Sequence, residues 1–228
     1  MSQEGTTATG RATASLPVSP RVLDRLLRRA RVGRGGTVLD IGSGADAVVQ
    51  HLQSLGYDAW GVCPSEEAAN SEATQDEETP RIQYGRLAAS LPIQPHTADL
   101  VLVRDVALYR PVQADPESLT ATANMLAALR PGREMMLIEP AQPGPDHSAH
   151  EPLVDAWSDH FSAFPGRLKM ETIRIRPALF GLFGGGPSFE FRLAGFKVPG
   201  QARTRLEWHR LAHEAAMRAL QAAGPRAA

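Results

Sequence analysis

The stretch Thr37-Val38-Leu39-Asp40-Ile41-Gly42-Ser43-Gly44 is the feature that most constrains this chain. Thr37 to Ile41 is a short apolar run with β-branched residues at its ends, and Gly42-Ser43-Gly44 follows without a gap. Val48, Val49, Leu52 and Leu55 then recur at helical spacing. A strand that runs through a glycine turn straight into a helix opens an α/β sheet. The turn needs glycine because a side chain there would block a ligand from the backbone amides. The helix N-terminus adds a partial positive charge beside that ligand. The local expectation is a nucleotide-type binding turn, with a plain tight connection as the alternative.

The chain around this turn repeats the same alternation. Ser19-Pro20 starts a helix whose stripe is Val22, Leu23, Leu26, Leu27 and Ala30. After the glycine turn, Asp58 to Val62 and Arg81 to Gly85 read as strands, separated by the polar, acidic stretch Ser65 to Glu78. Asp99 to Val103 is a continuous apolar run suited to a central parallel position. Asp115-Pro116-Glu117 opens another helix, which Pro131-Gly132 ends, and Glu134 to Ile138 is a fifth strand. This pattern predicts parallel strands in the order 3-2-1-4-5. After Pro140 it changes: a Pro/Gly/His loop, a helix over 153–164, alternating segments at Leu168–Ile175 and Ser188–Leu193, and a last helix over 203–222. The two alternating segments predict an antiparallel pair at one sheet edge. Residues 1–17 lack an apolar core and read as a disordered tail rather than a secretory signal. Residues 18–228 form one expected domain, with its core at 37–140 and the C-terminal strands and helix at 150–223.

Composition narrows the function. A net charge of -1 argues against a strongly electrostatic nucleic-acid binder. The single cysteine, Cys63, excludes an intrachain disulfide and a multi-cysteine metal site and fits a reducing, cytoplasmic setting. No apolar run approaches the ~20 residues of a membrane span. Composition says nothing about oligomeric state.

In order, Val38-Leu39-Asp40-Ile41-Gly42-Ser43-Gly44, Gly61-Val62-Cys63-Pro64-Ser65, Leu91-Pro92-Ile93, Asp99 to Val103 and Leu129-Arg130-Pro131-Gly132 before Met136 to Pro140 resemble the class I S-adenosylmethionine-dependent methyltransferases, in particular the small-molecule branch. The resemblance spans about 38–140. It implies a Rossmann-like α/β fold, a mostly parallel seven-stranded sheet with helices on both faces. It also implies S-adenosylmethionine as cofactor and methyl transfer to a small-molecule or lipid-like acceptor. A dinucleotide oxidoreductase is the competitor, because Gly42-x-Gly44-x-x-Ala47 satisfies the relaxed dinucleotide pattern. The acidic residue that pattern wants ~20 positions on is missing.

By the resemblance, Gly42, Ser43 and Gly44 underlie the methionine part of the cofactor, and Asp40 helps to orient its amino group. Cys63 and Pro64 fall at the ribose, Arg86 and Leu87 at the adenine, and Arg104 at the end of the fourth strand near the methyl donor. Two positions depart from the family. Cys63 stands where a carboxylate usually accepts from both ribose hydroxyls, and a neutral thiol is a weak acceptor. Ser65, Glu66 or Glu67 are possible substitutes. Asp46 replaces a third glycine; it suits a helix N-terminus but opposes a ligand carboxylate. These departures feed a second reading, a non-catalytic methyltransferase-like binding protein that has lost the cofactor. No catalytic residue stands out. His147, His150 and Glu151 are loop candidates for a base. His209 and His213 have the spacing of metal ligands but no third ligand, so a helix surface is the expectation. Phe180-Gly181-Leu182-Phe183 is apolar enough to cover a pocket or dock a partner.

Overall fold

The computed structural model describes residues 20–42, 44–64, 81–89, 91–104, 115–140, 151–175 and 189–222. The chain runs α1 (Pro20–Ala30), β1 (Thr37–Ile41), α2 (Ala45–Ser54), β2 (Asp58–Cys63), β3 (Ile82–Tyr84) and β4 (Ala98–Arg104). It continues through α3 (Pro116–Ala128), β5 (Leu129–Pro140), α4 (Glu151–Ser162), β6 (Arg167–Ile175), β7 (Phe189–Lys197) and α5 (Arg205–Ala222). The seven strands make one sheet in the order β3-β2-β1-β4-β5-β7-β6. β1 to β5 are parallel, and β7 is antiparallel to both β5 and β6. The expected order and the expected antiparallel pair are both present. The tail, the Ser19 cap, the 65–80 stretch, the loop at 141–150 and Phe180–Phe183 lie outside the described residues.

Strand alternation divides the core between two faces. Leu39, Ile41, Val101, Val103, Met135 and Leu137 face α3, α4 and α5, against Leu126, Trp157, Phe161 and Trp208. Val38, Leu100, Leu102, Met136 and Ile138 face the other way, onto Leu23, Leu26 and Leu27 of α1 and Val48, Val49 and Leu52 of α2. β4 is buried at every position, as a central parallel strand should be.

Polar contacts fix the base of the sheet. Asp99, at the start of β4, accepts from the Thr37 amide at 3.0 Å, from Arg130 Nη1 at 3.1 Å and from Arg133 Nη2 at 2.9 Å. The arginines flanking Pro131-Gly132 thus converge on one carboxylate and tie β1, β4 and β5 together. The Gly132 amide donates to Pro199 O at 2.8 Å, which joins the same turn to the segment after β7. α3 ends at Ala128, earlier than the Pro-Gly signal suggested, and Leu129 is already extended and paired with Ala98. Pro131 keeps Arg130 out of helical geometry, so the chain extends before the proline itself is reached. α5 begins at Arg205 on a capping box: Glu207 accepts from the Thr204 amide at 2.7 Å, and the Glu207 amide donates to Thr204 Oγ1 at 3.2 Å.

Candidate functional site

The site lies at the carboxyl ends of β1, β2 and β4, where the strand order reverses and α/β sheets open a crevice. Gly42 leaves β1 with φ +155° and donates its amide to Val62 O at 3.0 Å. A Cβ at this position would lie 2.7 Å from Arg104 O, so only glycine lets the turn pass between β2 and β4. Gly44 is left-handed, φ +66°, and serves as the N-cap of α2. Glycine accepts that conformation without the strain of a side chain. Gly44 offers no side chain to cap α2, and among the described residues no side-chain cap is present at its first amides. Asp46 sits exposed in the first turn of α2, favourable to the helix dipole, and is not its cap.

Beneath the turn lies a buried ion pair. Arg104 Nε donates to Asp40 Oδ1 at 2.8 Å and Arg104 Nη2 to Asp40 Oδ2 at 2.7 Å, a bidentate fork. Asp40 is 0% exposed and Arg104 3%. Alternation explains the meeting: Asp40 follows Val38 and Arg104 follows Leu102 on the α1/α2 face, with Asp40 registered to Leu102. Burial raises the Asp40 carboxyl above its ordinary range, against the opposing pull of Arg104. The sequence left Asp40 to the cofactor amine or to backbone amides; in the structure both of its oxygens are held by a guanidinium.

Cys63 is half-buried at the end of β2. Its thiol is raised first by burial and then by the charge of Asp46, with Arg104 pulling the other way. The structure therefore brings Asp40, Gly42, Gly44, Asp46, Cys63 and Arg104 to one end of the sheet. Pro64 follows directly on Cys63. Leu87 joins the same rim, because the Gly85 amide donates to Cys63 O at 3.3 Å and Tyr84 is registered to Cys63. Leu87 is buried in the core, whereas Arg86 is exposed and paired with Glu117 of α3 at 3.5 Å. Ser43, Ser65, Glu66, Glu67, His147 and His150 lie outside the described residues, and Glu151 begins α4. His213 is exposed and His209 is bonded to Asn124. No group of three metal-binding side chains occurs among the described residues, and no helix among them is long and apolar enough to cross a membrane. Sequence reading missed Asn124, a lone amide inside the mostly apolar stretch 121–128 of α3.

The profile of the methyltransferase domain family matches residues 17–173, more than half of the chain. The chain belongs to the class I methyltransferases. Among solved structures, one from work on the conversion of a disulfide bond into a thioacetal group during echinomycin biosynthesis is 19% identical, with a TM-score of 0.50. That match covers 83% of this chain and 85% of the other. The YcgJ protein of Bacillus subtilis is 18% identical over 78% of this chain and 97% of its own, TM-score 0.49. The N-methyltransferase NodS of Bradyrhizobium japonicum, solved with S-adenosyl-L-homocysteine, is 18% identical over 81% of this chain and 90% of its own, TM-score 0.45. No curated protein sequence matches the chain. At 19% identity the likeness at a TM-score of 0.50 speaks for the fold alone, and the methyltransferase fold is the one the sequence implied.

Proposed function

We propose that this methyltransferase takes its methyl group from S-adenosylmethionine and passes it to a small-molecule or lipid-like acceptor. The observation that carries this reading is the N-terminus of α2, set on left-handed Gly44 with no side-chain cap among the described residues, at the switch point of the sheet. Helix-terminal amides there suit the carboxylate of an amino-acid cofactor. The bound cofactor supplies an activated methyl on a sulfonium, and the chain's own residues bind and orient it. Asp40 and Arg104 are positioning residues: their fork holds the end of β4 against Gly42 and keeps the turn open to the crevice. Cys63 and Pro64 border the ribose, and Leu87 with Arg86 borders the adenine. No base is required where catalysis consists of bringing donor and acceptor into line. The near-neutral net charge supports an acceptor other than nucleic acid.

Asp46 and Cys63 make the weakest part of this site, and they provide the test. Cys63→Asp adds a charged acceptor, and a hydrogen bond to a charged group contributes about 1.5–3 kcal/mol, tenfold or more in affinity. The new carboxylate would sit in the field of Asp46, which already raises the Cys63 thiol. Cys63→Asp with Asp46→Gly is therefore expected to bind S-adenosylhomocysteine more tightly than either single variant. Calorimetric titration of wild type and the three variants reads this directly. Wild-type binding that none of the variants improves refutes the ribose assignment. Binding by none of the four establishes the non-catalytic reading instead.

A further inference from the structure

Asn124 is one of three polar side chains buried on α3, with Ser118 and Thr122, and the only amide of the three. Its neighbours Ala121, Ala123, Met125, Leu126 and Ala127 are buried and apolar, and Asn124 itself is 3% exposed. A buried amide is costly unless it is hydrogen-bonded, so its partners show what it is for. Asn124 Nδ2 donates to Leu87 O at 2.9 Å. Asn124 Oδ1 lies 2.9 Å from Nε2 of His209, on α5. The Leu87 carbonyl only accepts, so Nδ2 faces it and Oδ1 faces His209; the 2.9 Å contact then puts the proton on His209 Nε2, and Arg205 Nε, 3.4 Å from the same nitrogen, competes with that bond rather than donating to it. Burial, and then the charge of Arg205, hold His209 below its ordinary range. Arg205, one turn earlier on α5, sends Nη2 to Ala89 O at 3.4 Å. The C-terminal helix thus holds the 87–89 turn at two carbonyls, one directly and one through Asn124.

We infer that Asn124 and His209 are positioning residues for the adenine end of the cofactor, so that α5 sets cofactor affinity without touching the ligand. This rests on the cofactor reading above. The Leu87 carbonyl fixes the plane of the Leu87–Ala88 peptide, because the peptide unit is planar. With that plane fixed, the turn beside Cys63 keeps one shape before the ligand arrives, and the cost of ordering it is met by the fold.

The test compares Asn124→Leu, His209→Leu and His209→Gln with wild type, by calorimetric titration with S-adenosylhomocysteine and with adenosine. Amide hydrogen exchange at residues 86–89 is read in the ligand-free protein alongside. Gln keeps an N–H donor for Asn124 Oδ1, and Leu does not. Asn124→Leu and His209→Leu are expected to bind both ligands roughly tenfold more weakly and to exchange faster at 86–89, and His209→Gln to stay close to wild type in both. Wild-type affinity in Asn124→Leu, or equal losses in His209→Leu and His209→Gln, overturns the inference. Should Asn124→Leu fail to fold, the two His209 variants decide alone. A wild type that binds neither ligand overturns the cofactor reading and this inference with it; binding that is indifferent to the relay overturns only the latter.

Discussion

At the scale of single residues, the Asp40–Arg104 fork decides how the glycine turn is held. The Asp40 carboxylate alone would be an uncompensated ion in a dry sheet, and the bidentate geometry offsets that cost. Arg104→Met alone, which leaves Asp40 buried and unpaired, is expected to lower unfolding stability by about 3–5 kcal/mol. Asp40→Leu with Arg104→Met, which replaces the pair by apolar groups, should recover much of that loss. Urea unfolding of the two single variants and the double variant measures the coupling, and strictly additive losses would show that the two side chains act independently. The sequence placed both residues at the ends of their strands, where they are. It did not show that they bond each other, because that depends on the register of β1 against β4, a contact across 64 positions. Asn124 was hidden for a similar reason: its partners, Leu87 and His209, stand 37 and 85 positions away.

At the scale of elements, α3 shows what local sequence can settle. Asp115 caps it, accepting from the Ser118 amide at 2.9 Å, and Pro116 follows in the first turn, as the Asp-Pro signal implied. Burial works against the Asp115 charge, but hydrogen bonds from the Ser118 hydroxyl and from backbone amides outweigh it and hold the carboxyl below its ordinary value. Asp115→Ala should therefore cost about 1 kcal/mol at neutral pH. A carboxyl lowered by folding stabilises above its unfolded pKa and stops doing so as pH falls through the folded one. The difference between Asp115→Ala and wild type should accordingly shrink in acid, and unfolding curves for both proteins at neutral and acidic pH would expose a difference that instead persists. The far end of α3 was less legible. Pro131-Gly132 marked a boundary, but the helix stops at Ala128 because Leu129 and the following residues are drawn into pairing with β4 and Arg130 reaches Asp99. The amides of His96 and Thr97 take the carbonyls of Ala127 and Ala128, a tertiary cap that no local pattern announces.

At the scale of the whole molecule, the two faces of the sheet are packed differently. The α1/α2 face carries the ion pair under the glycine turn, and the other face carries aromatic and histidine side chains between α3, α4 and α5. His160 of α4 is buried there, its ring edge-on to Phe161 and its Nε2 2.8 Å from Thr122 Oγ1. Thr122 spends its own hydroxyl proton on Ser118 O at 2.8 Å, so Nε2 of His160 is the donor in that contact. Burial lowers the His160 pKa from 6.5 to about 4, against the upward pull of the Asp115 charge. Between these two values the unfolded chain takes a proton that the folded one refuses, so stability must fall as pH drops from 6.5 towards 4 and level off below. The loss reaches about 3 kcal/mol near pH 4. Asp40 and Glu134 act in the opposite sense, because burial raises both carboxyls and the folded protein binds their protons more readily than the unfolded chain does. The raw acid profile of the protein is therefore a sum of opposing slopes, and a comparison with His160→Gln isolates one of them. Gln keeps an N–H donor for Thr122 and does not titrate. Plotted against pH, the stability of wild type minus that of His160→Gln should be flat above pH 7 and decline steadily through the window from 6.5 to 4. A difference that stays level through that window would mean that His160 accepts its proton without leaving the core.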